Sequence, residues 1–394
     1  MTTVRTNDCS TSAAVLYMAF ELAESKWKLG FTTGLGQQPR EREIEARACV
    51  CVEEEIQAAK ERFGLPAETT VVACYEAGRD GFWLHRYLLS LGVKNSIVES
   101  SSIQVDRRKR RAKTDRLDLK QLLKMLVRWH QGEKDVWRVV NVPTSAEEEG
   151  RQLHRELETL RAEQTAHSNR IKGLLAACGV TLPTVDRHFP KRLKGVRLWD
   201  GSAVPADLHR RLLREFERMQ GVNRQIRELE KERAQRARQD DADVGVVQTR
   251  ELLGLKGIGI NSAWQYTREI FAWRKIRNRR ELGALVGLTG SPYRSGQVDH
   301  EQGISKAGNR RVRAMAIEIA WSWLHFQPQS ALSGWYEQRF AHGGKRLRRI
   351  GIVALARKLL VALWKYLETR VPPEGAALSD WKTKIYDNTP SLQG

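Results

Sequence analysis

The first third of the chain alternates short apolar runs with amphipathic segments. Runs rich in Val, Tyr, Phe and Trp predict strands, whereas apolar residues spaced by three and four predict helices. The pattern predicts, in chain order, strands over 14–20 and 26–32, a helix over 41–63, a strand over 69–75, a helix over 81–91, a strand over 96–99 and a helix over 114–129. This alternation of elements predicts an α/β domain over residues 1–135.

A coiled-coil pattern replaces this alternation near residue 146. The seam positions follow each other at alternating intervals of four and three residues: Leu153, Leu157, Leu160, Gln164, His167, Ile171 and Leu174. A similar pattern returns over 212–230, after a segment at 180–205 that Pro and Gly punctuate. We expect two long helices that form an antiparallel arm over 136–245. The polar seam residues should limit the stability of this arm in isolation.

The remainder of the chain has helical periodicity with one interruption. Residues 287–308 are rich in Gly and Ser and contain Pro292, which predicts an irregular loop. We therefore expect a helical domain over 246–372, followed by a tail over 373–394.

Charge narrows the class of partner. The chain has 394 residues with 67 Lys and Arg against 47 Asp and Glu, a net charge of +20. From residue 250 onward there are 24 basic against 11 acidic residues, so this region is the main expected footprint for nucleic acid. A second basic block is either a phosphate-contacting arm, a solvated loop or a nuclear-localisation-like run: Arg107, Arg108, Lys109, Arg110, Arg111 and Lys113.

The cysteines and the hydropathy pattern bear on location. Five scattered cysteines form no zinc-binding pattern and fit a reducing interior. No apolar run approaches the ~20 residues of a membrane-spanning helix, and the first residues do not resemble an export signal. We expect a folded cytoplasmic protein without a membrane partner.

Four carboxylates are placed where they can converge. Glu21 and Glu76 each end a predicted strand, and Asp115 and Asp118 open a predicted helix three residues apart. Such a cluster repels itself unless it binds cations, and two Mg²⁺ ions would neutralise it and polarise a phosphodiester. The alternatives are that Asp115 and Asp118 are helix N-terminal charges favoured by the helix dipole, and that Glu21 is a surface acid.

Two further segments bear on phosphate chemistry. The turn that contains Lys256, Gly257 and Gly259 resembles a helix-hairpin-helix, which presents backbone N–H groups to phosphate, although an ordinary tight turn has the same pattern. In the segment 287–313, the chemistry of the residues does not choose Ser295 over Ser291 or Ser305 as a nucleophile. Basic residues that could hold a phosphate surround these serines: Arg294, Lys306, Arg310 and Arg311.

The order of these motifs resembles the DEDD-type transposases of bacterial insertion sequences, the recombinases guided by a bridge RNA. The resemblance covers nearly the whole chain and depends on the combination of its motifs. These are Met18-Ala19-Phe20-Glu21, Tyr75-Glu76-Ala77-Gly78, Lys113-Thr114-Asp115-Arg116-Leu117-Asp118, the arm, the 254–259 turn, Arg294-Ser295-Gly296 and Ile304-Ser305-Lys306-Ala307-Gly308-Asn309.

The resemblance implies a RuvC-like domain of ribonuclease-H fold at the N-terminus and a helical transposase domain at the C-terminus. It implies that Glu76, Asp115 and Asp118 bind Mg²⁺ and that Ser295 attacks DNA to form a covalent phosphoserine. Glu21 departs from the family pattern, which has aspartate at this strand end. Implied partners are an element-encoded guide RNA, donor and target duplex DNA, and further copies of the chain in a dimer or tetramer with shared active sites. The resemblance also implies a bacterial protein that associates with the nucleoid during its reaction.

Two other functions stay open on the sequence alone. The first is a resolvase-like nuclease that hydrolyses DNA with the four carboxylates, in which Ser295 is structural. The second is a nucleic-acid-binding protein descended from a transposase, in which Glu21 marks a decayed metal site.

Overall fold

The computed structural model describes residues 14–78, 80–103, 115–239, 243–295, 298–382 and 385. Side chains are described over the same ranges except at 101, 115–118 and 291–302. The chain divides into two compact units, Met1–Val142 and Pro143–Gly394.

The first unit contains a mixed five-stranded sheet with strand order β3-β2-β1-β4-β5. The strands are β1 (Val15–Leu22), β2 (Lys26–Thr32), β3 (Arg40–Glu45), β4 (Thr70–Glu76) and β5 (Lys94–Val98). The two pairings on the β3 side are antiparallel, and β1–β4 and β4–β5 are parallel. Because successive side chains alternate between the faces of a sheet, β1, β4 and β5 contribute to two apolar layers.

Helices cover both faces of this sheet. They are α1 (Cys49–Arg62), α2 (Trp83–Ser90) and α3 (Asp115–His130), with 3₁₀ turns at Ser100–Ser102 and Lys134–Val136. One layer contains Met18, Phe20 and Tyr75 with buried residues of α1 and α2. The opposite layer contains Ala19 and Cys74 with the leucines of α3. The α/β class predicted for this region is confirmed.

The helix predicted over 41–63 is wrong in its first part. Arg40–Glu45 forms the edge strand β3, and the helix begins only at Cys49. Ile44 is the only buried residue of β3, and its charged neighbours suit an edge strand exposed to water. One of these charges, Glu43, accepts a 2.8 Å hydrogen bond from Lys26 of β2.

The second unit is mostly helical, as predicted. Its helices are α4 (Ser145–Glu149), α5 (Gln152–Ala176), α6 (Phe189–Gly195), α7 (Ala206–Arg238), α8 (Val244–Leu253), α9 (Ile260–Tyr266), α10 (Arg279–Leu285), α11 (Arg310–Phe326), α12 (Ala331–Tyr336) and α13 (Lys345–Thr369). Two π-helical segments, Thr267–Phe271 and Glu337–Ala341, continue α9 and α12. Trp264, Trp323 and the apolar face of α13 belong to the largest core of this unit.

The arm consists of α5 and α7, which pack against each other in antiparallel orientation. Leu157 and Ile226 belong to one apolar layer of the arm. The polar seam residues predicted from the repeat have partners: Gln164 Nε2 donates to Asn223 Oδ1 at 2.6 Å. A separate small core around Phe189 and Phe216 closes the far end, where α6 lies in the segment predicted as an insert.

The irregular loop predicted over 287–308 is an antiparallel hairpin for most of its length. Strand β6 (Gly290–Ser295) pairs with β7 (Val298–Ile304), and the pairing is irregular near Pro292. Proline and glycine are ordinarily unfavourable inside strands, which explains why the sequence pattern does not predict this pair. Ser295 is therefore the last residue of a strand, opposite Val298, and not a residue of an irregular loop.

Candidate functional site

Glu21 and Glu76 lie at the same end of two neighbouring parallel strands. Phe20 is the register partner of Tyr75, so Glu21 and Glu76 occupy the next position of β1 and β4. Neighbouring strands are ~4.8 Å apart, and residues in register point to the same face. That face is the one that α3 covers, because Ala19 and Cys74 belong to its apolar layer. Glu21 is half-buried and Glu76 is exposed.

The direction of α3 brings its first turn to the same place. A 3.0 Å hydrogen bond joins the Tyr17 hydroxyl to His130 Nδ1, which places the end of α3 near the start of β1. Leu119 lies over Gly30, where an added Cβ would be 3.1 Å from its Cγ, and Gly30 is the register partner of Ala19. Asp115 precedes Leu119 by ~6 Å of helix, and Glu21 follows Ala19 by ~6.6 Å of strand. The backbone therefore places Asp115 and Asp118 at the end of the sheet that carries Glu21 and Glu76.

Lys28 of β2 lies directly opposite Glu21 in the antiparallel register. Opposite charges at such positions attract each other, so Lys28 partly neutralises this end of the sheet. The sequence analysis did not identify Lys28, because its position next to Glu21 follows only from the register of the hairpin.

Carboxylate oxygens of this kind fit a hard divalent cation such as Mg²⁺. Among the described side chains, no group of three or more His, Cys, Asp or Glu is placed to hold a metal ion. The side chains of Asp115 and Asp118 lie outside those described. The described part of the cluster is thus the pair Glu21 and Glu76, beside the first turn of α3.

The hairpin of β6 and β7, here called the serine hairpin because β6 ends at Ser295, rests on two glycines that lie close to neighbouring backbone atoms. At Gly287 and Gly308 the φ angles are +67° and +88°. An added Cβ would be 2.0 Å from the Ala307 carbonyl oxygen at Gly287 and 2.1 Å from that of Leu285 at Gly308. Only glycine satisfies both the left-handed backbone and this spacing. The Ser305–Asn309 part of the motif therefore forms the base of the hairpin.

Asn309 connects this base to a buried carboxylate. Its side-chain oxygen caps α11 by accepting from the Arg311 and Val312 N–H groups, while Nδ2 donates to Glu269 Oε2 at 3.1 Å. Glu269 is 2% exposed and lies in the π-helical segment after α9. Irregular helical turns of this kind are frequent at functional sites.

The arm completes the surroundings of Glu269. His154 Nε2 and Arg155 Nε, both from α5, donate to Glu269 Oε1 at 2.8 and 2.9 Å. Burial by itself raises the pKa of the Glu269 carboxyl, but these hydrogen bonds and the Arg155 charge outweigh it and lower that pKa well below its ordinary value. Glu269 is therefore ionised and joins the arm to the base of the hairpin.

The helix-hairpin-helix-like turn joins α8 to α9. Gly257 has a φ angle of +88°, and an added Cβ would be 3.0 Å from Phe326 Cβ, so Gly257 faces the protein. Gly259 precedes α9, and an added Cβ there would meet no atom within 4 Å. Lys256 is exposed. Lys256 and Gly259 are thus the open part of this turn among the residues predicted to contact phosphate.

The other predicted phosphate-binding residues differ in their surroundings. Lys306 and Arg310 are exposed, and Lys306 has a left-handed φ angle of +57°. Arg311 is also exposed but donates to Glu158 of the arm at 2.5 Å. Arg294 is in β6, and its side chain is not described. The whole basic block lies outside the described residues: Arg107, Arg108, Lys109, Arg110, Arg111 and Lys113.

Comparison with known proteins identifies the class of enzyme. Residues 249–335, which include the turn, the Glu269 segment and the hairpin, match the model of the family described as Transposase IS116/IS110/IS902. Over 378 residues the chain is 39% identical to y4rJ of Sinorhizobium fredii, which carries the name of a transposase, and the match covers 92% of this chain and 94% of that protein. The transposase for insertion sequence element IS1328 of Yersinia enterocolitica is 26% identical over 168 residues, which are 43% of this chain and 48% of that one.

These matches identify the chain as a DNA transposase, an enzyme of DNA recombination whose partner is DNA. The chain belongs to the IS116/IS110/IS902 family of transposases. The resemblance to insertion-sequence transposases is thereby confirmed at the level of this family. In the described part of the chain, no helix is both long enough and apolar enough to cross a membrane.

Proposed function

We propose that this transposase excises and inserts its own element by strand exchange, with Ser295 as the nucleophile and a guide RNA that selects the DNA. The first unit is, in this proposal, a RuvC-like domain of ribonuclease-H fold, which the mixed sheet order fits. The observation that carries the proposal is the adjacency of Glu21 and Glu76 at the sheet end where α3 begins.

The carboxylates of Glu21, Glu76, Asp115 and Asp118 would hold the metal. Mg²⁺ bound there would neutralise the cluster and stabilise the charge that develops on the scissile phosphate. The contribution of the protein is a rigid placement of its ligands, two on strand ends and two on one helical turn. The presence of Lys28 opposite Glu21 makes Glu21 the ligand whose role depends most on the length of its side chain.

Ser295 would act from the end of a hairpin whose base is fixed by Gly287, Gly308 and Asn309. Its hydroxyl oxygen forms a bond to phosphorus, one bridging P–O bond breaks, and the hydroxyl proton ends on the deoxyribose oxygen that leaves. The basic residues Arg294, Lys306 and Arg310 would bind nearby phosphates and contribute no base recognition. Sequence selection then comes from pairing between guide RNA and DNA, as in other guided systems.

A nicked suicide DNA tests the nucleophile directly. We expect the wild-type protein to form a covalent adduct whose modified peptide contains Ser295, and Ser295→Ala to form none while it still binds DNA. Ser291→Ala and Ser305→Ala are matched controls that should retain the adduct. Cleavage without an adduct by Ser295→Ala would favour the metal-dependent nuclease over the recombinase, and an adduct on another residue would overturn Ser295 as the nucleophile.

The carboxylates have their own test. Asp115→Ala, Asp118→Ala and Glu76→Ala should each abolish Mg²⁺-dependent cleavage while the protein stays folded. Glu76 is exposed, and Asp115 and Asp118 lie in the first turn of α3, where alanine is compatible with the helix. If nucleic-acid binding occurs but no cleavage depends on Mg²⁺ in the wild type, the protein is a binding protein with a decayed site.

A further inference from the structure

Trp199 is the most exposed of the large apolar side chains in the described part of the chain, at 81% exposure. It lies at the far end of the arm, in the segment between α6 and α7. Tryptophan rings usually contribute a large buried area in cores or interfaces. An indole that the fold holds in water is therefore a candidate contact for a partner.

The backbone that carries Trp199 is fixed. The neighbouring Leu198 N–H donates to the Ser202 carbonyl at 2.9 Å, and Gly201 N–H donates back to the Leu198 carbonyl at 3.0 Å, which forms a tight turn. Gly179 has a φ angle of +76°, and an added Cβ there would be 2.8 Å from Trp199 Cβ. The turn thus packs against the end of α5 while the ring stays outside.

The segment 180–205, which carries the ring, has five basic residues against two acidic ones. Lys191, Lys194 and Arg197 are exposed, and none has a carboxylate partner among the described residues. Of the two acids of the segment, Asp186 binds Arg192 at 2.9 Å, whereas Asp200, next to Trp199, keeps its negative charge and accepts from the Ser202 N–H within the turn. The tip therefore presents one aromatic ring on a segment with an excess of positive charge.

This combination favours nucleic acid over a second copy of the chain. Two such tips facing each other would bring like charges together, and one exposed indole is small beside the ~800 Å² that a stable protein interface buries on each side. Unpaired bases stack on exposed aromatic rings while basic side chains bind the phosphates on either side. Paired bases in a duplex do not offer their faces in this way.

We infer that the tip of the arm binds an unpaired segment of nucleic acid, with a base stacked on Trp199 and phosphates bound by Lys191, Lys194 and Arg197. This inference rests on the proposed function only for the class of partner, and it does not involve Ser295. Unpaired RNA and unpaired DNA share the required chemistry, so both are used as probes.

Trp199→Phe isolates the ring among the 12 tryptophans of the chain. An unstructured RNA or DNA oligonucleotide should quench the emission of exposed tryptophan in the full-length wild-type protein, and this quenching should be absent in Trp199→Phe, which keeps its affinity. A duplex of the same length should not produce the quenching. Whichever of the two oligonucleotides quenches more strongly identifies the source of the natural ligand. Equal quenching in wild type and Trp199→Phe would overturn the inference.

The salt dependence of the affinity separates the contribution of the Trp199 ring from that of the basic residues. Trp199→Ala should weaken binding of the single strand about 5- to 100-fold with an unchanged salt slope, because stacking releases no counterions. Joint replacement of Lys191, Lys194 and Arg197 by Ala should lower that slope by about 0.7 for each phosphate that is no longer neutralised. Val371→Ala, at a 68% exposed apolar residue, should change neither quantity. Unchanged affinity of Trp199→Ala together with a lower molar mass in solution would assign the ring to an interface between copies instead.

Discussion

At the scale of single residues, Glu21 is the proposed metal ligand with the most constraints. Glu76 occupies the corresponding position of β4 on one side, and Lys28 of β2 lies opposite on the other, so Glu21 lies between negative and positive charge. A carboxylate in this position can either turn toward a metal ion or stay with the lysine. The length of its side chain decides how far it reaches.

Replacing Glu21 by Asp tests this length. The resemblance to the DEDD-type transposases favours aspartate here, and a shorter side chain stays closer to the sheet end and farther from Lys28. We expect Glu21→Asp to exchange strands at least as fast as the wild type in a donor–target recombination assay with varied Mg²⁺. The control Glu76→Ala should be inactive. A folded but inactive Glu21→Asp protein would show that the site is built around the longer acid.

Glu269 is a buried carboxylate of the second unit that accepts hydrogen bonds from His154, Arg155 and Asn309. Removing one member of a buried ion pair leaves the others without a partner and costs about 3–5 kcal/mol. We expect Glu269→Ala to lower the free energy of unfolding by this amount in chemical denaturation. Glu232→Ala removes the partner of Arg236 in an exposed i,i+4 pair and should cost less than about 0.5 kcal/mol. Similar destabilisation by both variants would contradict the role given to the buried network.

The lowered pKa of Glu269 also gives this contribution a pH dependence. A carboxyl group with a lower pKa in the folded than in the unfolded protein stabilises the fold above its unfolded pKa, ~4.3, and this stabilisation disappears as pH falls toward the folded value. The difference in unfolding free energy between wild type and Glu269→Gln should be constant from pH 7 to about 5 and should narrow at more acidic pH. Denaturant titrations at several pH values measure it. A difference that grows on acidification would mean that Glu269 is protonated in the fold.

At the scale of elements, the base of the serine hairpin depends on the close approach of the Leu285 carbonyl group to Gly308. A methyl group at this position meets the Leu285 carbonyl and also strains a left-handed residue. Gly303 in β7 is a matched control, because its φ angle is +90° but nothing lies within 4 Å of an added Cβ. Left-handed strain alone costs about 1 kcal/mol, so the two alanine variants share this cost and differ in the close approach of the carbonyl.

We therefore expect Gly308→Ala to reduce covalent adduct formation on suicide DNA much more strongly than Gly303→Ala. Both variants should still bind DNA, since binding depends mainly on many ionic contacts. Equal adduct yields from the two variants would show that the position of Ser295 does not depend on this base.

The elements that the sequence predicts well are those whose periodic pattern matches burial. Strand β4 and the long helices α5 and α7 have such patterns, and the structure places them close to the predicted bounds. Strand β3 has one buried residue and owes its conformation to pairing with β2, which no local pattern records. The β6–β7 hairpin contains Pro and Gly where strands usually have β-branched residues, so its pairing also depends on the surrounding helices.

The candidate site divides in the same way. Carboxylates at predicted strand ends are visible in the sequence, and their convergence follows once parallel pairing is assumed. The position of Lys28 opposite Glu21 requires the correct hairpin register, because a slip of one residue exchanges the faces. The partners of Glu269 come from α5 and from the start of α11, far apart in the chain, so the sequence shows only an acid in an apolar segment.

At the scale of the whole molecule, the net charge of +20 sets how nucleic acid is held. Each phosphate that a basic residue neutralises releases counterions, so affinity falls steeply as salt rises. Many cations of the described chain are already paired within the protein, such as Arg128 with Glu133 and Arg236 with Glu232. Paired cations compete less well for phosphate, which makes the unpaired clusters the expected footprint.

Variants of the basic block test whether the positions of the cations, and not only the net charge, determine how strongly nucleic acid is bound. Replacing Arg107, Arg108, Arg110 and Arg111 together by Ala should weaken binding across unrelated RNA and DNA sequences, because phosphate contacts carry no base information. It should also lower the slope of log affinity against log salt by up to about 3, because fewer counterions are released on binding. A second quadruple variant changes the net charge equally but removes cations that have carboxylate partners: Lys26, Arg128, Arg236 and Arg277. We expect a much smaller change of slope in this control, measured by filter binding over a range of KCl concentrations. If both variants change the slope equally, the basic block acts only through the overall electrostatic field of the protein. The interpretation of residues 107–113 as a phosphate-contacting segment would then be wrong.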